Sequence, residues 1–303
     1  MATLIASFGP NLEFARNTAD LTSYRTGGPT RYFLSAHSAS EVTRAIESAT
    51  RFEIPFFVIG GGSNLLISDE GYDGLIIKVD VTGLSLISEN SIACGAGEDL
   101  ITLVNFATES SLTGIEFLAG IWGSVGGAIY GNAGAFGGEI GDVVSELTIV
   151  GNDGAVRVVP PDYCQFGYRD SYLKTTHEVV VGVRITLSRG KQKAIADRVH
   201  EILHLRESKH PTDALTAGCF FKNIPDPKEK FGKLPAGRLL EEIGAKSLRV
   251  GGAAVFDKHA NIIVNNGTAT SKDIRNLADI LKARVRERFG IDLQEEVIQV
   301  GSF

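Results

Sequence analysis

With 303 residues, of which 43% are hydrophobic and 22% charged, the chain can bury a sizeable core in two or three domains. Its formal net charge of −6 argues against a broad nucleic-acid-binding surface. No apolar run reaches the roughly 18 residues of a membrane span, and the N-terminus lacks a signal-peptide pattern, so we expect a cytoplasmic location. We also expect a monomer, although no sequence feature determines the oligomeric state. The widely spaced Cys94, Cys164 and Cys219 argue against a disulfide framework or a zinc site.

The first third of the sequence predicts a small α/β unit. Ser38 and Glu41 form a capping-box pattern, and the apolar residues that follow up to Ala49 have helical spacing. The apolar runs 56–59, 65–68 and 75–79 predict short strands.

The middle third mixes one helix with several strands before a second helix. Leu100, Val104 and Ala107 predict the first helix, after the acids Glu98 and Asp99. A Gly-Asn-Asp-Gly turn at 151–154 predicts a hairpin between runs 147–150 and 155–159. The β-branched run 179–187 predicts a buried strand, and the apolar face 195–203 predicts the second helix.

The last third contains more proline and predicts a separate α+β unit. Leu239, Leu240 and Ile243 predict a short helix that ends at Gly244. A longer helix is indicated by the apolar face that runs from Ile274 to Val285.

A glycine run, Gly60-Gly61-Gly62-Ser63-Asn64, follows the strand at 56–59. It is not a Rossmann fingerprint, because the residues after it predict another strand rather than a helix. Such a run lets backbone N–H groups approach phosphate oxygens, but it also suits a tight turn between strands. From this segment alone, both interpretations stay open.

A second glycine-rich segment spans residues 120–138 and carries Trp122, Tyr130 and Phe136 among its glycines. These large side chains argue against a disordered linker. Because glycine is entropically costly to order, this density favours a backbone lying flat against a long ligand such as a flavin dinucleotide.

The sequence around these segments resembles the UDP-N-acetylenolpyruvoylglucosamine reductase family, also called UDP-N-acetylmuramate dehydrogenase or MurB. The resemblance is carried in family order along nearly the whole chain by the blocks at residues 24–29, 60–66, 114–138, 168–171, 217–223, 258–261 and 296–297. The short link between Ser171 and Val179 resembles the branch of the family that lacks an inserted tyrosine loop.

The resemblance implies an α+β fold of the vanillyl-alcohol-oxidase type that binds FAD non-covalently. It implies an FAD-binding subdomain at 1–77 with a returning C-terminal strand at 297–303, a second at 78–204, and a substrate-binding domain at 205–296. The implied reaction is the NADPH-dependent, FAD-mediated reduction of UDP-N-acetylglucosamine enolpyruvate to UDP-N-acetylmuramate in peptidoglycan synthesis.

Three catalytic residues are implied in the same way. Arg169 matches the arginine that binds the substrate carboxylate, and a guanidinium suits the charge that develops there. Glu296 matches the glutamate that polarises the same end, and its neighbour Glu295 is the competing candidate. Cys219 stands where most members carry the proton-donating serine, and a thiol is the stronger acid.

The remaining implied residues contact the cofactor or the substrate, and no metal is expected. The cofactor set is Tyr24, Arg25, Gly60, Gly61, Gly62, Ser63, Asn64, Gly120, Gly123, Ser124, Gly127, Asn132, Ala133 and Gly134. The substrate set is Tyr130, Lys209, Lys222 and Asn223. His259 is interpreted as structural, because hydride transfer gives it no proton to move.

Two other functions fit the sequence less well. An oxidase of the same fold often tethers FAD through His or Cys, but no histidine lies in the glycine segments. A non-catalytic FAD- or nucleotide-binding protein would be expected to lose the catalytic trio, which this chain retains.

Overall fold

A computed structural model describes residues 2–211, 213–229 and 232–303. The chain divides into two compact units. The first comprises Met1–Arg16, Arg31–Gly61 and Asp73–Arg206, and the second comprises Asn17–Thr30, Gly62–Tyr72 and Glu207–Phe303. The three domains expected from the sequence stay a prediction.

The described residues form eight α-helices. They are α1 (Ala2–Phe8), α2 (Ala39–Arg51), α3 (Leu100–Glu109), α4 (Val125–Tyr130), α5 (Leu173–Thr176), α6 (Gln192–Glu207), α7 (Ala236–Glu242) and α8 (Ser271–Phe289). No helix in the described ranges is long and apolar enough to cross a membrane.

The same residues form twenty short strands. They are β1 (Glu13–Asn17), β2 (Pro29–Ala36), β3 (Phe56–Ile59), β4 (Leu65–Ile67), β5 (Tyr72–Val79), β6 (Leu84–Ser88), β7 (Ser91–Gly95), β8 (Leu112–Thr113), β9 (Gly134–Ala135), β10 (Gly138–Glu139), β11 (Val144–Val150), β12 (Val156–Val159), β13 (Val179–Thr186), β14 (Ser188–Arg189), β15 (Ile224–Pro225), β16 (Lys233–Leu234), β17 (Arg249–Val250), β18 (Ala253–Val255), β19 (Ile263–Asn265) and β20 (Ile298–Val300).

The first unit is built around two sheets. One has the strand order β1-β2-β5-β3, with β3 and β5 parallel, and the other has the order β12-β11-β13-β7-β6. The helices α2 and α3 bury apolar faces, which include Val42, Ile46, Leu103 and Val104, in the shared core of this unit. This packing positions the end of β3, from which the first glycine segment leaves.

The second unit packs α7 and α8 against the sheet β17-β18-β19. The helix α8 begins with a capping box between Thr270 and Asp273 and ends at Gly290, which has a positive φ of 69°. Strand β20 pairs in parallel with β4, so Ile298 lies opposite Leu65. Chain segments that are far apart in sequence therefore share one core.

The secondary structure predicted from the sequence is largely confirmed. Ser38 caps α2 by accepting a hydrogen bond from the Glu41 amide, and β11 and β12 form the predicted antiparallel hairpin. The helix α3 spans Leu100–Glu109, directly after the acids Glu98 and Asp99 as predicted. Local capping and periodicity therefore predicted the elements well.

Candidate functional site

The two glycine segments meet at Ser124 within the first unit. The Ser124 hydroxyl caps α4 by accepting a hydrogen bond from the Gly127 amide at 3.3 Å. It also accepts one from the Gly61 amide at 3.2 Å, although 63 residues separate the two in sequence. One buried serine therefore joins the predicted cofactor loops.

Close backbone approach explains why glycine is needed there. A Cβ on Gly60 would lie 2.1 Å from the Ser124 Oγ, and one on Gly61 would lie 2.9 Å from the Gly123 Cα. Gly61 and Gly127 are nonetheless exposed, so the joined segments present bare backbone at the surface of the unit. Such a side-chain-free cradle fits the flat approach of a dinucleotide cofactor.

Asn132 connects the second glycine segment to a more distant turn. The residue is buried and has a positive φ of 44°. Its amide donates to the Glu139 carboxylate at 2.7 Å and to the Gly167 carbonyl at 2.9 Å. Its amide oxygen accepts from the Gly141 N–H at 3.1 Å. The side chain thus supports the segment from inside, and its predicted cofactor contact stays a prediction.

Arg169 lies in a tight turn in which the backbones of Gly167 and Asp170 exchange hydrogen bonds of 3.0 and 3.1 Å. Arg169 is the third residue of this turn and has a positive φ of 52°. Turns with positive φ at this position favour glycine or asparagine. A non-glycine residue held there costs on the order of 1–3 kcal/mol, a strain that clusters at functional sites.

The turn is tied to Tyr130, a predicted substrate residue. The Ser171 hydroxyl donates to the Tyr130 carbonyl at 2.7 Å. The Lys174 ammonium lies 5.9 Å from the centre of the Tyr130 ring. Burial raises the pKa of Tyr130, and the Asp170 carboxylate raises it further, so the phenol stays protonated at neutral pH.

Cys219 and Glu296 come together in the second unit. Residues 219–221 run between two neighbouring segments: Cys219 bridges Ile262 on one side, and Phe221 bridges Glu295 on the other. The Glu296 amide donates to the Phe220 carbonyl at 2.8 Å. The backbone of the predicted polarising acid is therefore hydrogen-bonded to the residue that directly follows the predicted proton donor.

Glu295, the competing candidate for the acid, differs from Glu296 in its contacts. Glu295 forms an ion pair with Lys282 at 2.9 Å and accepts a hydrogen bond from Gln299. The Asn64 amide, by contrast, donates to the Glu296 carbonyl at 2.9 Å. Glu295 is thus occupied by a structural ion pair, which favours Glu296 as the acid of the site.

Asn261 is a positioning residue that the sequence analysis did not single out. Its side-chain oxygen accepts from the Phe221 amide at 3.0 Å, and its Nδ2 donates to the Phe221 carbonyl at 2.8 Å. It is buried and fixes the strand that carries Cys219. The signal in the sequence was its place in the block 258–261, which carries part of the family resemblance.

Other predicted cofactor residues also lie in the second unit. Tyr24 is fully buried beside Phe220 and Phe221, and burial raises its pKa well above the usual value, with Cys219 a smaller cause. Arg25 is exposed with a positive φ of 57°. The Ser23 amide donates to the Gly62 carbonyl at 3.2 Å. This segment therefore lies against Gly62 and Ser63, and its cofactor contacts stay predictions.

The predicted substrate residues of this unit differ in their surroundings. Lys209 is exposed, and Lys222 is half-buried. The Asn223 side-chain oxygen accepts from the Ala236 amide at 3.1 Å, which supports the start of α7. His259 accepts from the Asn261 amide at 3.3 Å and its pKa is lowered by burial, in keeping with a structural role.

The predicted residues therefore form two groups, one in each unit. Gly60, Gly61, Gly120, Gly123, Ser124, Gly127, Tyr130, Asn132, Ala133, Gly134 and Arg169 belong to the first unit. Tyr24, Arg25, Gly62, Ser63, Asn64, Lys209, Cys219, Lys222, Asn223 and Glu296 belong to the second. The described residues hold no cluster of side chains suited to a metal ion.

Comparison with known proteins covers both units. A family model described as UDP-N-acetylenolpyruvoylglucosamine reductase, C-terminal domain, matches residues 210–300, and one described as FAD binding domain matches residues 30–159. The UDP-N-acetylenolpyruvoylglucosamine reductase of Clostridium botulinum (strain Alaska E43 / Type E3) is 36% identical over 279 residues, covering 92% of this chain and 90% of that protein. The reductase of Solibacter usitatus is 36% identical over 308 residues, covering 96% and 98%.

A solved structure agrees with these sequence relatives. The crystal structure of UDP-N-acetylenolpyruvylglucosamine reductase from Thermus caldophilus has 34% sequence identity and a TM-score of 0.80, covering 96% of this chain and 98% of that one. Together with the FAD binding domain match, it confirms the predicted α+β FAD-binding fold with a C-terminal domain.

Proposed function

Because the chain belongs to the UDP-N-acetylenolpyruvoylglucosamine reductase family and is an FAD-binding oxidoreductase, we propose that it uses NADPH to reduce UDP-N-acetylglucosamine enolpyruvate to UDP-N-acetylmuramate for peptidoglycan synthesis. The observation that carries this proposal is the pairing of the Cys219 strand with Glu296 through the 2.8 Å hydrogen bond from the Glu296 amide to the Phe220 carbonyl. The cytoplasmic location and the monomeric state expected from the sequence remain predictions.

The cradle around Ser124 is the proposed site of FAD, held by Gly60, Gly61, Gly123 and Gly127. FAD bound there would supply the hydride-transfer chemistry that links NADPH to the β carbon of the substrate. The glycines of the cradle carry no side chains, which would let a cofactor lie close to the backbone there.

Residues of the chain itself stabilise the negative charge that develops on the substrate and donate the proton that completes its reduction. As the β carbon gains a hydride, negative charge develops toward the substrate carboxylate, and Arg169 binds it bidentately. A protonated Glu296 donates a hydrogen bond to the same end. The Cys219 thiol, with a reference pKa of about 8.5, then gives its proton to the α carbon.

Anaerobic absorbance of the flavin band tests this proposal. NADPH is expected to bleach the band, and UDP-N-acetylglucosamine enolpyruvate is expected to restore it. Bleaching without restoration by this substrate would remove the substrate assignment.

A matched pair of glutamate variants tests the acid. E296Q is expected to slow restoration of the band by roughly 10²-fold or more, because one polarising group is lost. E295Q, which loses the ion pair with Lys282, is expected to keep the rate. Equal rates in the two variants would contradict the role of Glu296.

A further inference from the structure

The strained backbone of the turn that carries Arg169 needs stabilising contacts from residues outside the turn. Its backbone has a φ of 52° at a position that favours glycine, so the conformation persists only where surrounding contacts impose it. The exchange of hydrogen bonds between Gly167 and Asp170 closes the turn, but neither of these two bonds uses the Arg169 carbonyl.

Lys174 supplies a contact to this carbonyl. Its Nζ donates to the Arg169 oxygen at 2.5 Å and lies 3.6 Å from the Asp170 carboxylate, four residues earlier in the chain. The side chain is 28% exposed, so these contacts are only partly screened by water. One ammonium group therefore contacts both the Arg169 carbonyl and the Asp170 side chain.

The same ammonium reaches Tyr130. It lies 5.9 Å from the centre of the ring, within the range of a cation–π contact. The Ser171 hydroxyl already ties this part of the chain to the Tyr130 carbonyl at 2.7 Å. Lys174 thus links the arginine turn to the glycine-rich segment that precedes it.

We propose that Lys174 is a positioning residue that acts on the substrate through Arg169: its contact with the Arg169 carbonyl holds the strained turn in the conformation that presents the guanidinium. This inference rests on the proposed function, in which Arg169 binds the substrate carboxylate. Lys174 itself makes no contact with substrate and moves no proton.

The first test compares variants of Lys174 as FAD-loaded enzymes. The affinity for UDP-N-acetylglucosamine enolpyruvate is read from the change it causes in the absorbance of the oxidised flavin. K174M is expected to weaken binding roughly tenfold, because one charge-assisted hydrogen bond is lost. K174R is expected to recover most of this loss, since it keeps a cation with several donors. Reduction of the flavin by NADPH is expected to stay near the wild-type rate in both.

K193M is the matched control. Lys193 also forms an ion pair with an acid four residues away, Asp197, at 3.1 Å, but this pair lies on the solvent-exposed face of α6. The K193M variant is expected to bind the substrate with wild-type affinity. Wild-type affinity in K174M would overturn the inference, as would a K193M loss equal to that of K174M.

A double-mutant cycle with R169A separates positioning from direct contact. If Lys174 acts through Arg169, adding K174M to R169A is expected to change affinity less than about twofold, because the guanidinium it positions is gone. A further tenfold loss in the double variant would show direct contact and overturn the inference. Failure of the wild type itself to bind the substrate would instead contradict the proposed function, so the two failures are distinguishable.

Discussion

The amide of Asn132 donates a hydrogen bond to the carbonyl of Gly167 at 2.9 Å. This bond joins the glycine-rich segment proposed to bind FAD to the turn that presents Arg169. Since Asn132 is buried and its amide also binds Glu139 and Gly141, the bond is part of a satisfied internal network. The proposed flavin and carboxylate sites are therefore mechanically connected within the first unit.

Removing the Asn132 amide is expected to lower both stability and substrate affinity. In N132A the Gly141 amide and the Glu139 carboxylate lose their bonds to Asn132, while the Gly167 carbonyl keeps the Asp170 amide, so we expect a loss of about 2–4 kcal/mol in the free energy of unfolding. Urea unfolding of the FAD-loaded enzyme measures this loss.

Asn152 provides the control for that substitution. It donates to the Thr176 carbonyl at 2.7 Å but is exposed, so water can replace the bond. N152A is expected to cost less than about 1 kcal/mol. Equal losses in N132A and N152A would contradict the importance of the buried network.

Adding a methyl group to the first glycine segment is expected to expel FAD. The Cβ of G60A would lie 2.1 Å from the Ser124 Oγ, which is held in place by the Gly61 and Gly127 amides. We therefore expect a purified variant with little flavin absorbance. G182A is the control, because its new Cβ meets only ordinary contacts at 3.7 Å or more. Full flavin content in G60A would exclude the cradle as the FAD site.

Alkylation by iodoacetamide is expected to act selectively on Cys219. Cys94 and Cys164 are buried, and burial raises their pKa values to about 12 and about 11, so neither forms a reactive thiolate at neutral pH. Cys219 is partly exposed. The treated enzyme is expected to lose turnover but keep reduction of its flavin by NADPH.

Two substitutions control the alkylation. C219S is expected to resist the reagent and to keep measurable turnover, whereas C219A is expected to lose about 10²- to 10⁴-fold in turnover, the usual contribution of a general acid. Full activity after complete alkylation of Cys219 would rule out its role as proton donor.

His259 is expected to make the stability of the fold depend on pH. Burial lowers the pKa of His259, so the folded chain keeps the ring neutral while the unfolded chain binds a proton below about pH 6.5. Its stabilising effect is thus complete above that pH and declines as the pH falls toward the folded-state pKa. In H259N the free energy of unfolding is expected to decline less as the pH falls, while turnover is retained.

The measurement is urea unfolding between about pH 7.5 and pH 5.5. Asparagine keeps an acceptor for the Asn261 amide, so the turn is preserved and only the titration is removed. If the free energy of unfolding of H259N depended on pH as steeply as that of the wild type, His259 would not be the source of the pH dependence.

Local features of the fold could be predicted because their causes lie close together in sequence. The cap of Ser38 on α2 and the hairpin turn at Gly151 depend on residues within a few positions of each other. The contact between Gly61 and Ser124 spans 63 residues, and that between Asn132 and Gly167 spans 35. No spacing rule indicates such pairs, since they follow from how strands are arranged in three dimensions.

The same limit applied to the site. Arg169, Cys219 and Glu296 were predicted from family motifs. The block 258–261 includes Asn261 but does not reveal its contact with Phe221, and no motif includes Lys174. A lysine in a short polar stretch resembles any solvated side chain. Its role depends on the positive φ of Arg169, which periodicity and composition do not encode.

The second unit is assembled from three separate stretches of chain, and this order matters during synthesis on the ribosome. Every segment of the first unit has been translated once Arg206 is made. Tyr24 and Leu66, in contrast, share a core with Phe220 and Leu277, and β4 gains its partner β20 only when Val300 is made. These early apolar segments therefore lack their core partners until Phe220 is made, 196 residues after Tyr24 and 154 residues after Leu66. This makes the nascent chain a natural client for chaperones that shield apolar surface.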